Sequence, residues 1–585
     1  MIVYGEAERE AEPRALLSAI AAALAELGSQ SDPSHDALRR ELIALGEVEA
    51  ALGDALCPEI ERIIPPLEHL RRAATALGKA VWLSWKGGAS EAASACVAAA
   101  ASDIARLAEE SWPARVRLRP AEGYAHYALY PESYGEAAAR IAAERNPASA
   151  LVIGIRSIGT SLSAVVAAVL EERGIPVRSW CVRPRGHPFS RSVALGADVR
   201  QAWQAAARRG SIALVVDEGP GLSGSSFLGT AAALEQAGFS DERVVLIPSW
   251  DAPAPAMATE AAARRWERMI KCPAEAGQPW WRHGRPRGQI EDLSAGRWRK
   301  LLIADRPHWP AVQPQHERRK YLVSREDGSR RLWKFAGLGS YGIARHERAQ
   351  ALAGAGFSPA VHALQDGFLV QDFVPGRPLR TRDKDSRLAA RMLDYLAFRA
   401  RAFPTGRPAR VAELAEMIRV NLREGLGPEW AAAADRLVEH HAEGLAETGT
   451  IAVDGRMMPH EWLDTPAGLL KVDAVDHADD HFFPRDQDIA WDVAGVTAEL
   501  ELGRAWEMEF AEKLSARTGD RDLPRRLPFY AVAYRAFHLG YAELACSALG
   551  SGEPDAERFR LRASRIRTEL HGLLGLAAAP RNREN

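Results

Sequence analysis

Two adjacent acids, Asp217 and Glu218, follow a short apolar run and precede a loop of small residues. The run from Ile212 to Val216 is typical of a buried parallel strand. The loop and the start of the next helix supply small residues, namely Gly221, Ser223, Gly224, Ser225 and Ser226. Glycine lets a backbone approach a phosphate closely, and free N–H groups at a helix start point towards an anion. Carboxylates accept hydrogen bonds from ribose hydroxyls or bind a divalent metal. The order predicts a site for a phosphorylated sugar.

This segment resembles the phosphoribosyl pyrophosphate (PRPP) motif of type I phosphoribosyltransferases, which is an apolar strand, two acids and a Ser/Thr- and Gly-rich loop. The resemblance implies that PRPP binds with Mg²⁺, and that Asp217 and Glu218 are catalytic. A second apolar run, Ala150 to Ile155, precedes Arg156 and Gly159, which stand where that family binds pyrophosphate. The alternative is an ordinary strand-turn-helix.

Alternating strands and helices from about residue 135 to 250 predict an α/β domain with a doubly wound parallel sheet. Both phosphate-binding loops would then lie at the carboxyl ends of strands, where such sheets bind ligands. The basic segment Arg183 to Arg191 is rich in Gly and Pro, and we expect it to form a mobile hood over an anionic substrate.

The C-terminal half contains a lysine on a predicted hairpin strand, Lys334, and a glutamate on the following helix, Glu347. Strand Lys, helix Glu and then another strand is the order of an N-terminal lobe in kinase-like phosphotransferases. The resemblance implies that Lys334 contacts ATP phosphates and that Glu347 positions it.

A second group of residues near the C-terminus resembles the helical lobe of aminoglycoside-phosphotransferase-like kinases. It comprises the segments 456–463, 468–473, 476–481 and 488–494. The resemblance implies that His460 lies in the catalytic loop, that Asp473 binds Mg²⁺ and that Asp492 supports the loop. We also predict Asp476 as a metal ligand.

The family's catalytic aspartate, two positions after the histidine, is replaced here by Trp462. Glu461 could serve as the base, as could one of Asp476, Asp479 and Asp480. The domain could also bind nucleotide without transferring phosphate.

A competing pattern is Gly337 to Gly342, which fits GxGxxG between a strand and a helix, with Asp366 placed as a ribose-binding acid would be. The preceding strand is too polar for the buried first strand of a dinucleotide-binding fold.

At 585 residues the chain is long enough for several domains. We predict a helical region at 1–120, a phosphoribosyltransferase-like domain at 121–250, a Trp- and Arg-rich linker or helical insertion at 251–315, and an α+β two-lobed kinase-like domain at 316–580. We expect the helical region to support homo-oligomers.

The net charge of −2 provides no field that would attract nucleic acid or a membrane surface, so we expect small phosphorylated molecules as partners. The five cysteines are scattered, which predicts a reducing cytoplasm. The sequence therefore predicts a bifunctional enzyme with a PRPP site and an ATP site. The alternative is a regulator that senses PRPP and ATP without catalysis.

Overall fold

The computed structural model describes residues 1–5, 8–87, 90–221, 223–250, 259–274, 286–445, 448–550 and 552–578. The first region is a layer of four helices with two short strands. Its elements are β1 (Arg9–Ala11), α1 (Pro13–Gly28), α2 (His35–Leu56), α3 (Pro65–Trp85), α4 (Ser90–Ala108) and β2 (Val116–Leu118). Both α1 and α3 begin at proline, whose fixed φ suits a first helical turn. Homo-oligomerisation through this layer stays a prediction.

The second region is an α/β unit built on a parallel sheet. Its elements are α5 (Glu122–Ala125), α6 (Pro131–Arg145), β3 (Ala150–Ile155), α7 (Ile158–Glu172), β4 (Val177–Val182), β5 (Arg185–His187), β6 (Ser190–Ser192), α8 (Ala197–Arg208), β7 (Ile212–Val216), α9 (Ser225–Gln236), β8 (Val244–Ile247), α10 (Glu260–Arg268) and β9 (Ile270–Lys271). The strands pair in parallel in the order β4-β3-β7-β8-β9.

Both faces of this sheet are covered. Leu151 and Ile153 of β3 pack with α8 and α9, whereas Val152 packs with α7 and the N-terminal helices. Strands buried on both faces must be apolar throughout, which explains the continuous hydrophobic runs in the sequence. Successive strands are added to one side of β3 as far as β4 and to the other side from β7 onwards, and ligands bind at such switch points in open α/β sheets.

The predicted linker at 251–315 belongs to its two neighbours wherever the structure describes it. β9 extends the parallel sheet, and Trp266 of α10 is buried beside Phe227. A further strand, β10 (Gln289–Asp292), joins the sheet of the C-terminal half. The stretches 251–258 and 275–285 lie outside the described residues.

The C-terminal half begins with an antiparallel sheet in the order β10-β11-β12-β14-β13. The elements from α11 to β14 are α11 (Arg299–Leu302), β11 (Lys320–Ser324), β12 (Arg330–Phe335), α12 (Ser340–Gly354), β13 (Val361–Gln365) and β14 (Phe368–Asp372). The dinucleotide-binding alternative requires a parallel sheet, so the GxGxxG interpretation is wrong. Leu338 in that loop donates its N–H to the Tyr124 carbonyl (3.0 Å), which docks the loop against α5.

The rest of the chain is mostly helical. Its elements are β15 (Arg377–Pro378), α13 (Ser386–Ala402), β16 (Pro404–Pro408), α14 (Val411–Gly425), α15 (Ala431–Leu445), β17 (Gly449–Ile451), β18 (Trp462–Thr465), β19 (Gly468–Lys471), α16 (Ala490–Glu499), α17 (Arg504–Thr518), α18 (Leu523–Leu549) and α19 (Pro554–Ala578). No helix among the described residues combines the length and apolarity needed to cross a membrane.

The antiparallel sheet contributes to two hydrophobic cores, since Leu369 of β14 belongs to the core of the helical lobe. Trp333 and Phe335 of β12 belong to the same buried cluster as the N-terminal helices and one face of the parallel sheet. Trp491 and Tyr534 belong to the cluster of the helical lobe. The polar side chains described next, Lys334, Asp473, Asp476 and Glu461 among them, lie where this sheet meets the helical lobe, and that region is called the cleft below.

Candidate functional sites

A buried lysine and two aspartates meet between the antiparallel sheet and the helical lobe. Lys334 of β12 donates to Asp476 (2.9 Å) and also contacts Asp473. Asp473 follows β19 and has a positive φ of 59°, a conformation that few residues other than glycine adopt. Burial alone would lower the pKa of Lys334, but the two carboxylates raise it. A fixed positive charge thus faces two acids across the cleft.

The helix after β12 supplies cations to this acidic segment. Arg348 of α12 donates to Asp479 (2.8 Å), and the buried Arg345 lies 3.5 Å from the same carboxylate. Glu347 is exposed, and Lys334 takes Asp473 and Asp476 as partners instead. The predicted Lys334–Glu347 pairing is therefore wrong. The acids at 473–480 favour arginine on the helix face that packs against them and would repel a glutamate there.

The loop from residue 454 to 461 is held at both ends. Asp492 of α16 accepts hydrogen bonds from the N–H groups of Asp454 (2.8 Å) and Gly455 (2.9 Å). Lys471, which is completely buried, lies between Asp454 (3.2 Å) and Glu461 (2.9 Å). A cation held by two carboxylates fixes the loop against β19.

His460 is a packing residue, which corrects the predicted catalytic assignment. Its ring stacks on Trp298 with 5.5 Å between ring centroids and 17° between planes. Burial, together with the nearby charge of Arg456, lowers the pKa of His460 to about 3. The loop that Asp492 supports starts at Asp454, six residues before His460.

One group of side chains in the cleft is suited to a metal ion. Glu461, Asp473 and His477 can each offer one ligand atom, and these atoms lie within 4.8 Å of one another. Asp476, predicted as a ligand, is occupied by Lys334 and by Arg318 (2.5 Å). His477 belongs to the Asp- and His-rich stretch 473–481, whose residue types already indicated metal-ligand chemistry in the sequence, although only Asp473 and Asp476 were predicted as ligands. The two carboxylates suit Mg²⁺ or Mn²⁺, whereas the imidazole suits Zn²⁺ better.

A second group of side chains with metal-ligand atoms is formed by His126, Asp480 and His481. Arg318 donates to Nδ1 of His126 (3.0 Å) and lies 3.4 Å from Asp480. A guanidinium in that position competes directly with a cation, so this group is better described as part of the junction between α5 and the helical lobe.

The acid pair at the end of β7 forms no ion pair with a cation of the described residues, although Arg183 and Arg191 partly offset the effect of burial on the pKa of Asp217. Both carboxylates are half-buried, and neither takes part in an ion pair among the described residues. Burial raises the pKa of Asp217 to about 7. Burial, with repulsion from Glu122 and Asp217, raises the pKa of Glu218 to about 8. The pair is therefore poised to exchange protons for a cation or for hydroxyl donors.

The loop after β7 is covered by the β5–β6 hairpin. Ser223 and Ser225 each donate a hydroxyl hydrogen bond to the Pro188 carbonyl, at 2.7 and 2.6 Å. Ser226 accepts from Arg191 (3.1 Å). The residues of the predicted hood thus lie over the loop after β7 and hydrogen-bond to its serines. The loop bends through two glycines with positive φ, Gly221 (62°) and Gly224 (61°).

The turn between β3 and α7 is closely packed against the end of β7. A Cβ added to Gly159 would lie 2.5 Å from the Val216 carbonyl oxygen, so only glycine allows this approach. Ser157 in the same turn has a φ of 126°, in the region that favours glycine. Strained backbone of this kind is concentrated at functional sites.

Arg156 is not available to bind pyrophosphate, the role that the sequence analysis predicted for it. Its guanidinium is buried against Glu61 and also lies 3.3 Å from Asp54. The N-terminal helical region supplies both acids, and the same Glu61 contacts Arg185 of the hairpin (3.2 Å). Arg156 therefore joins the helical region to the parallel sheet, and Glu61 and Asp54 neutralise its charge there.

Comparison with known proteins gives only distant likenesses. No protein-family model and no curated protein sequence matches the chain. Choline kinase LicA from Streptococcus pneumoniae is 13% identical, with a TM-score of 0.31, over 43% of this chain and 89% of that one. A choline/ethanolamine kinase family protein from Mesorhizobium loti is 16% identical, with a TM-score of 0.32, over 44% and 88%. Macrolide 2'-phosphotransferase MphH from Brachybacterium faecium is 18% identical, with a TM-score of 0.29, over 43% and 88%. TM-scores this low do not by themselves establish a common fold.

Proposed function

We propose that the cleft between the antiparallel sheet and the helical lobe binds ATP with a divalent metal and transfers phosphate. The contact of Lys334 with Asp473 and Asp476 carries this proposal. A lysine fixed on a strand can neutralise nucleotide phosphates, and carboxylates opposite it can hold the metal that the triphosphate brings. Glu461, Asp473 and His477 are the residues that would hold it.

When bound, the metal would neutralise the negative charge of the phosphates. The chain itself positions the nucleotide. Asp473 would exchange its contact with Lys334 for the metal, which frees the ammonium group for the phosphates. The buried Lys471 keeps Glu461 oriented towards the same place.

A thermal-shift titration of ATP with and without Mg²⁺ tests this function. We expect ATP to stabilise the protein more with Mg²⁺ than without it. Asp473→Asn should remove most of that difference, because one metal ligand becomes a neutral amide. Asp464→Asn is the matched control, since Asp464 lies on β18 and pairs with surface arginines. A wild type that ignores ATP in both conditions would exclude the proposed function.

We infer a second binding function, for PRPP, from the Asp217–Glu218 pair at the end of β7. Support comes from its position at the switch point of the parallel sheet, beside a glycine-rich loop and the first turn of α9. Arg156 is left out of this site, so pyrophosphate would be bound by backbone N–H groups of the turn before α7.

Isothermal titration of PRPP in the presence of Mg²⁺ tests the second function. Asp217→Asn/Glu218→Gln should abolish the binding heat. The matched control is Glu109→Gln/Glu110→Gln, which changes two exposed acids that are also consecutive in the chain and should leave the binding heat unchanged. If PRPP and ATP both bind and no product forms from either, the protein is a sensor of the two ligands. If PRPP gives no heat with the wild type, the second function is wrong.

A further inference from the structure

The loop from residue 454 to 461 presents no exposed carboxylate that could remove a proton from an acceptor. Its two carboxylates, Asp454 and Glu461, are 1% and 4% exposed. Both bind Lys471, and Glu461 also lies 3.6 Å from the guanidinium of Arg456. A general base must lie within hydrogen-bond reach of the acceptor hydroxyl, and these two enclosed carboxylates already take Lys471 as their partner.

The charged group that this loop exposes is a cation. The side chain of Arg456 is 42% exposed, and its backbone N–H is turned towards Asp454 (3.3 Å). An arginine guanidinium remains charged across the physiological pH range. Arg456 therefore presents a permanent positive charge next to the group formed by Glu461, Asp473 and His477.

We propose that the acceptor in this cleft is an oxyanion, a carboxylate or a phosphate group, and that Arg456 binds it. This inference rests on the proposed phosphotransferase function. An alcohol must lose a proton while its oxygen attacks phosphorus, and that step profits from a nearby carboxylate base. A carboxylate or a phosphate dianion arrives with its attacking oxygen already deprotonated.

The transfer is balanced without any proton acceptor. An oxygen of the acceptor forms a bond to the γ-phosphorus of ATP, and the bond between that phosphorus and the β,γ-bridging oxygen breaks. ADP leaves with the electron pair of the broken bond. The product is an acyl phosphate if the acceptor is a carboxylate, and a phosphoanhydride if it is a phosphate.

Arginine suits this role better than lysine would. Its planar guanidinium binds both oxygens of a carboxylate, or two oxygens of a phosphate, at once. This leaves a free lone pair on a bound carboxylate oxygen, or a third phosphate oxygen, to face the γ-phosphate. It also offsets the repulsion between an anionic acceptor and the triphosphate. An alcohol acceptor gains neither advantage.

The test uses the full chain loaded with MgADP and then titrated calorimetrically with inorganic phosphate, acetate or glycerol. We expect phosphate or acetate to bind and glycerol not to. Arg456→Gln should weaken anion binding by about tenfold or more, and Arg456→Lys should retain part of it. Binding of MgADP itself should change by less than about twofold, a result that a merely destabilised variant would not give. Arg423→Gln, an exposed arginine on α14, is the matched control.

A second arm identifies the acceptor. With MgATP, transfer to acetate is detected by trapping acetyl phosphate with hydroxylamine, and transfer to phosphate by the appearance of pyrophosphate. Transfer to glycerol in preference to both anions would overturn the inference, as would equal anion binding by wild type and Arg456→Gln. A wild type that binds MgADP but neither anion also overturns it and leaves the nucleotide site intact. Failure to bind MgADP would instead overturn the proposed function and this inference together.

Discussion

Neutralising the acid pair at the end of β7 should stabilise the unliganded protein above neutral pH. The pKa of Asp217 rises from 3.8 to about 7, and that of Glu218 from 4.5 to about 8. At about 1.4 kcal/mol per pKa unit, the two shifts correspond to roughly 4 and 5 kcal/mol if taken separately. Both side chains are partly exposed, and their mutual repulsion must be counted once. We therefore expect about 1–3 kcal/mol for Asp217→Asn/Glu218→Gln.

The sign of the effect follows from proton linkage. Well below the ordinary pKa values of 3.8 and 4.5, both carboxyl groups are protonated in the folded and the unfolded chain, so the pair does not affect stability. Between pH 4 and pH 8 the unfolded chain releases these protons while the folded chain retains them, and the stability of the wild type falls. The loss is complete once the pH has passed the folded pKa values of about 7 and 8.

Apparent melting temperatures between pH 5 and pH 9 measure this effect. The variant should approach the wild type at pH 5 and melt a few degrees higher at pH 8, at about 2–4 °C per kcal/mol for a large domain. Glu109→Gln/Glu110→Gln should follow the wild type throughout. Parallel curves for wild type and Asp217→Asn/Glu218→Gln would refute the electrostatic reasoning. PRPP with Mg²⁺ should raise the melting temperature of the wild type and not that of this variant.

Three further substitutions test individual contacts. Lys471→Met should destabilise the helical lobe by about 3–5 kcal/mol in chemical unfolding, because it removes the buried cation that lies between two buried carboxylates; an unchanged unfolding midpoint would contradict the assignment. Gly159→Ala should cost about 1–3 kcal/mol and weaken PRPP binding in calorimetry, because the new methyl group meets the Val216 carbonyl; unchanged stability and unchanged PRPP affinity would show that the turn has room. His460→Gln should leave the pH profile of ATP binding unchanged between pH 5 and pH 8, since the imidazole is neutral there; a shifted profile would restore the catalytic role.

Two of the parallel strands, β3 and β7, could be predicted from the sequence residue by residue. The observed β3 and β7 have the bounds of the two apolar runs that the sequence analysis selected. A strand buried on both faces leaves a continuous apolar signal, and the acids and glycines after β7 are local in sequence. The order of strand, acid pair, loop and helix could therefore be predicted from this one segment of the sequence.

The roles of single charged residues could not be predicted in the same way. Arg156 is neutralised by Glu61, which is 95 residues earlier in the chain. His460 stacks on Trp298, which lies in a different part of the sequence. Glu347 is exposed because its helix turns Arg345 and Arg348 towards Asp479. Each outcome depends on a partner brought close by the tertiary fold, and a local pattern does not contain that partner.

Calorimetric titration of MgATP into the wild type and Lys334→Ala tests the central claim most directly. The claim predicts one ATP per chain for the wild type and an affinity weaker by about tenfold or more for Lys334→Ala, since a buried positive charge at the phosphates is lost. Lys513→Ala, which removes a surface lysine of α17, should bind like the wild type. Equal ATP affinity in the wild type and Lys334→Ala would contradict the claim.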